Sequence, residues 1–172
     1  MSRGFVREDD QEEAPFIPPR APLPPGVENH VTPRGLQLLL SERADLERQR
    51  AAITGSEAER RRTSAELNGR LDLLNERIAT ARVRDVAEQG TDEVRFGCSV
   101  TFAVRSGPQA GTQRTFTIVG VDEASVAEGR IAFTAPIARA MLGARVGGSV
   151  RFALGKDVQE LEVLAIAGPS GT

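Results

Sequence analysis

The sequence predicts an α+β chain: an N-terminal antiparallel two-helix coiled-coil hairpin, then an antiparallel β domain carrying one short helix. Three observations carry this prediction. Apolar residues recur at alternating spacings of three and four in two runs separated only by Thr54-Gly55-Ser56. From residue 93 onward the apolar period falls to two. Proline stands at the first helical position of two segments, at Pro33 and at Pro136, where its missing N–H costs nothing. At 172 residues the chain has room for two compact units at most.

Residues 1–30 carry three arginines against six acids, and six of the eleven residues from Pro15 to Pro25 are proline. Proline fixes φ and removes donors, so this segment is expected to be an acidic, extended and disordered arm. The alternative reading is docking through the acidic patch or through Phe5, Val6, Phe16 and Ile17.

The hairpin is placed at residues 31–86. Thr32 is the expected cap of the first helix, ahead of Pro33. Its stripe reads Leu36, Leu39, Arg43, Leu46, Arg50 and Ile53; the second helix reads Arg60, Ser64, Leu67, Leu71, Leu74, Ile78 and Ala81. Three residues between the runs allow only a reversal. Leu36 and Leu39 are thereby set near Ile78 and Ala81 at an apolar base, while the Arg50–Arg60 end is polar.

The β domain is placed at residues 87–166, with a flexible tail at 167–172. Val94, Phe96, Cys98, Val100, Phe102 and Val104 alternate with polar or small residues as one strand, with Cys98 as inert core. Further strands are expected at residues 115–121, 130–134, 150–154 and 160–166, with a helix from Pro136 to Leu142 stopped by Gly143. In that helix Ile137, Met141 and Leu142 are expected in the core and Arg139 on the outer face.

A formal charge of −2 argues against a general nucleic-acid or membrane binder and favours a protein partner. One cysteine and one histidine exclude an intrachain disulfide and Cys- or His-rich metal chemistry. No apolar run approaches a bilayer span, and the first residues lack a signal-peptide pattern, so a cytoplasmic protein is expected.

The segments VTPRGLQLL, RFGCSVTF, TFTIVGVDEA and TAPIARAMLG, in that order, resemble the bacterial GreA/GreB transcript-cleavage factor family over residues 31 to about 166. The resemblance implies an FKBP-like β domain that docks on RNA polymerase at its secondary channel while the coiled coil enters it. It implies no chemistry of the factor's own and no resident cofactor. Acidic residues at the hairpin tip would help the polymerase hold a shared Mg²⁺ that cuts backtracked RNA. The expected partner is RNA polymerase, with indirect contact to nascent RNA, and the factor is expected to be a monomer. The alternative is a non-cleaving regulator that occupies the channel.

Against that pattern, the only acids near the turn are Glu57 and Glu59. They are candidates for assisting Mg²⁺, but Ser56 with Glu59, or Thr54 with Glu57, also reads as a capping box. Two residues apart on a helix, the two acids face different ways, and Arg60, Arg61 and Arg62 repel a cation. Those arginines are candidate tip contacts. The polymerase-docking candidates are Thr134, Ala135, Pro136 and Arg139, with Ala135 standing where the family tends to have a capping Ser.

Overall fold

A computed structural model describes residues 13–85 and 90–169. The α+β class holds. Helix α1 spans Pro33–Ala51, and Thr32 caps it, its side-chain oxygen accepting from the Gly35 N–H at 2.9 Å. After the reversal at Gly55, whose φ of 109° favours glycine, α2 runs Glu57–Thr80. The seam buries Leu39, Leu46, Leu67, Leu71 and Leu74, with Leu36, Ile53, Ile78 and Ala81 half-buried around them. Each buried leucine contributes roughly 1.5–3 kcal/mol. At the polar stripe position Arg50 reaches across, donating to Asn68 Oδ1 at 3.1 Å. The helices measure ~28 and ~36 Å at 1.5 Å per residue. A parallel pair of two-residue strands, β1 (His30–Val31) and β2 (Arg82–Val83), ties the hairpin base together.

The second unit is a five-stranded sheet: β3 (Ser99–Val104), β4 (Gln113–Val119), β5 (Arg130–Ala132), β6 (Ser149–Leu154) and β7 (Asp157–Ala167), in the order β5-β4-β3-β7-β6. Helix α3 is Pro136–Met141. Phe102, Ile118, Met141, Leu161 and Val163 are among its fully buried core. Three strand pairs are antiparallel, but β4 and β5 run parallel, so the sheet is mixed at that edge. The reason is the connection: residues 120–129, with a single 3-10 turn at Val126–Glu128, carry the chain back before it re-enters alongside β4.

Two local expectations are corrected. The strand expected from Val94 begins only at Ser99, because Gly97 takes a φ of 85° and Cys98 N–H donates back to the Arg95 carbonyl at 3.2 Å. Val94 instead exchanges backbone bonds of 2.8 Å with Gly143 and Ala144, beyond the C-terminus of α3. The apolar alternation there reports burial rather than strand: Val94 and Cys98 are both buried. Leu142, expected in the core, is 38% exposed; it caps α3 after the last turn, and Ala138 takes the buried position instead.

The proline-rich arm is the third correction. Disorder is the expectation through residue 30, and the stretch to residue 12 lies outside the described residues. The rest is laid along α2: Ile17 fills the notch at Gly69, where an added Cβ would come within 2.6 Å of its Cδ1. Phe16 faces solvent at 80% exposure. Gly69→Ala is expected to raise intrinsic helix stability by about 0.5–1 kcal/mol while expelling Ile17. Limited proteolysis of the arm, faster in the variant although thermal stability holds, checks this.

Among the described residues no helix is long and apolar enough to cross a membrane.

Candidate functional site

At the hairpin tip, Ser56 and Glu59 form a full capping box. The Glu59 N–H donates to Ser56 Oγ at 3.3 Å, and Glu59 Oε2 accepts from the Ser56 N–H and hydroxyl, each at 2.8 Å. The Ser56 hydroxyl bond, followed by the backbone bond, holds the Glu59 carboxyl below its usual pKa. The alternative box from Thr54 to Glu57 is not the one formed: Ser56 is the cap and Glu57 is the first residue of α2. Gly55 completes the turn, since a Cβ there would sit 2.8 Å from Glu59 Oε2.

Both glutamates and Arg60, Arg61 and Arg62 are exposed. Glu59 is turned back onto its own helix start, and three arginines stand on the next turn. Among the described residues no group of three or more His, Cys, Asp or Glu side chains is placed to hold a metal.

Ser56→Ala is expected to fray the first turn of α2, at a cost of about 1 kcal/mol. Because the Glu59 pKa is depressed, its contribution is fully present above the unfolded carboxylate pKa and is lost as pH falls through the lower folded value. Amide exchange at residues 57–60 should accelerate, relative to the intrinsic rate, across that acidic window in wild type. The acceleration should be absent in Glu59→Gln.

The docking candidates lie where β5 passes into α3. Thr134 and Ala135 are half-buried, and Ala135 is the N-cap without a side-chain cap bond. Pro136 and Arg139 are exposed on successive turns, and Leu142, the residue that caps α3, is exposed beyond them. Helical periodicity alone places Leu142 inside.

What sequence reasoning missed is the pair Asp122 and Glu123, in the loop after β4, which joins the hairpin to the sheet. Asp122, 8% exposed, receives Arg77 of α2 at 2.9 Å on Oδ2 and Arg20 of the arm at 3.0 Å on Oδ1. Arg20 also makes a two-pronged bond to Glu42 of α1 at 2.9 and 3.0 Å. The Glu42 bond and then Asp122 raise the Arg20 pKa further. Arg77 donates to the Ala21 carbonyl at 2.7 Å, so one arginine holds both sheet and arm.

Glu123, 4% exposed, sits at the N-terminus of α1, where the helix dipole favours a negative charge. It accepts from the Thr32 hydroxyl and from Arg34 at 3.1 Å. Two glycines permit the approach: a Cβ on Gly35 would lie 2.8 Å from Glu123 Oε2, and one on Gly120 would lie 2.6 Å from the His30 carbonyl. His30 itself packs against Phe96 and Phe133, with ring centroids 5.8 and 5.4 Å away.

The sequence family described as Transcription elongation factor, GreA/GreB, C-term matches residues 89–168. Transcription elongation factor GreA of Hyphomonas neptunium is 37% identical over 100 residues, 58% of this chain and 62% of that relative. The GreA of Syntrophotalea carbinolica is 37% identical over 102 residues, 59% of this chain and 62% of that relative. The chain thus spans less than two thirds of the length of these curated relatives. Among solved structures, GreA factor homolog 1 of Thermus thermophilus aligns over 83% of this chain and 100% of its own, at 22% identity and a TM-score of 0.38. A GreA/GreB elongation factor from Nitrosomonas europaea aligns over 80% and 98%, at 19% identity and a TM-score of 0.39. The family match coincides with the sheet unit built above, with its Asp-Glu loop and its Pro136 helix: residues 89–168 are similar to the GreA/GreB C-terminal family, and the chain that carries them is GreA/GreB-like.

Proposed function

We propose that this chain is a transcription elongation factor that binds RNA polymerase through its β domain and inserts the hairpin into the secondary channel, without delivering a metal ion from its tip. The family that matches residues 89–168 is described as GreA/GreB elongation factors and the curated relatives are named GreA, which supports the first part. The observation that carries the second is the Ser56–Glu59 capping box, which takes up one of the two candidate acids at the tip. The chain then acts as an accessory protein in the cytoplasm. Any RNA cleavage would belong to the polymerase active site.

Arg139 and Leu142 offer a cation and an apolar side chain, both exposed, a combination suited to an acidic, partly apolar rim. Arg139→Glu is expected to weaken association with core polymerase tenfold or more, measured by fluorescence anisotropy, while leaving thermal stability unchanged. Retained affinity would remove α3 from the interface.

Stalled, backtracked complexes test the cleavage half. Wild type is expected to leave the RNA 3′ end at the polymerase's intrinsic cleavage rate, with Glu57→Ala and Glu59→Ala no different. Shortening of the RNA well above that rate, abolished by either substitution, would restore the reading in which these carboxylates assist Mg²⁺.

A further inference from the structure

From Gly129 to Lys156 the chain carries Arg130, Arg139, Arg145, Arg151 and Lys156 and no acid, although its formal charge is −2. Arg130 is held by Glu128 and by the Glu123 carbonyl. The other four cations are exposed, and none has an acidic partner among the described residues. The same stretch builds α3, the loop after it and β6, and α3 packs on β6. Positive charge is therefore gathered on one side of the β domain.

That side holds an open sheet edge. β7 bonds β6 on one side, and among the described residues no strand lies on the other. The Gly148 carbonyl accepts from the Val163 N–H at 3.0 Å, and an antiparallel ladder alternates, so Ser149, Arg151 and Ala153 turn their N–H and C=O groups away from β7. Glu160, opposite Arg151 on β7, is taken up by the Ser149 hydroxyl at 2.6 Å.

Charge on an edge strand guards against pairing with the wrong chain. Protection alone does not require Val146, Leu154 and Val158, around the two ends of β6, to stand 55, 56 and 60% exposed. A second copy is a poor occupant, because antiparallel pairing of β6 with itself sets cations against cations with no acid on either strand. Free backbone groups, unpaired cations and exposed apolar side chains converge on a different one.

We propose that the open edge of β6 takes an extended, acidic segment of a partner protein as a sixth strand. Side chains alternate along such a strand, so its acids fall on the face of Arg151 and its apolar residues on the face of Phe152 and Leu154. The contact does not depend on polymerase binding.

The test uses the full chain and a synthetic peptide of alternating glutamate and valine. Saturating peptide is expected to slow amide exchange at Arg151 and Ala153 about tenfold, while Val150 and Phe152, which face β7, change little. Arg151→Gln should weaken peptide binding several-fold with thermal stability unchanged. Ala153→Pro, which removes an outward donor and no bond to β7, should do the same while the β6–β7 ladder keeps its protection. A peptide with lysine in place of glutamate should leave exchange unaltered. Exchange unchanged by the acidic peptide would overturn the proposal. So would equal protection by the lysine peptide, protection by double-stranded DNA in place of the acidic peptide, or protection that rises with protein concentration when no peptide is present. Those results would mark an indiscriminate edge, a phosphate-binding surface and a second copy.

Discussion

Asp122→Ala is expected to lower the stability of the folded chain by about 3 kcal/mol, the low end of the range for stripping one partner from a buried ion pair. The low end applies because Arg20 keeps Glu42 and because neither arginine is wholly sealed from water. The size of the loss comes from what is left behind. Both Asp122 oxygens are used, one by Arg77 and one by Arg20, and a methyl group in their place leaves two guanidinium groups facing each other across a half-buried gap.

Asp122→Asn, which keeps one acceptor and the shape, should lose less. Urea unfolding followed by far-ultraviolet circular dichroism measures both variants. A second readout separates junction from global stability: a distance between labels on α1 and β6, narrowly distributed in wild type, should broaden in Asp122→Ala. If the distribution stays narrow, Glu123 and the β1–β2 pair are sufficient to hold the hairpin, and Asp122 does not fix its angle to the sheet.

The consequence reaches function. A probe of ~28–36 Å magnifies any angular slack at its base. A few degrees of play at the junction displaces the tip by ångströms, so the insertion proposed above would gain from a base fixed at two carboxylates and a strap. The arm supplies that strap. Arg20 grips α1, through Glu42, and the sheet, through Asp122, in one side chain. Its planar fork does what a lysine could not.

These contacts also explain what the sequence allowed and what it withheld. The helices were readable because their stripes repeat at a period only a helix satisfies, and because Thr32, Ser56, Pro33 and Pro136 mark the starts with chemistry that acts within one turn. The Ser56–Glu59 box was readable for the same reason, since both partners lie three residues apart. The Asp122 network was not: Arg20, Glu42, Arg77 and Asp122 come from four segments up to 102 residues apart, and no local pattern marks them. The stretch from Val94 to Cys98 misled because its apolar residues alternate in the sequence as a strand's would, while Gly97, at a φ of 85°, turns the backbone. Leu142 misled because the helix ends just before it, so its direction is set by the cap rather than by the helical period.

Leu74→Ala is expected to cost about 2–5 kcal/mol, and where that cost appears tests how the two halves communicate. Leu74 is fully buried and belongs to the hairpin cluster with Val31, Leu39, Leu46, Leu67 and Leu71. The sheet holds a separate cluster around Phe102 and Met141, and the two meet through the polar groups at Asp122 and Glu123 and through His30 packed on Phe96 and Phe133. A cavity at Leu74 therefore weakens the hairpin directly and the sheet only through that junction. Helical ellipticity should be lost at a lower urea concentration than in wild type, while a fluorophore reporting on the β domain keeps a midpoint close to its original value. Adding Asp122→Ala to Leu74→Ala should widen the separation between the two midpoints. Were both signals to move together by the full amount in the single variant, the hairpin and sheet would form one cooperative core, and the junction would have to be stiffer than its ion pairs and caps imply.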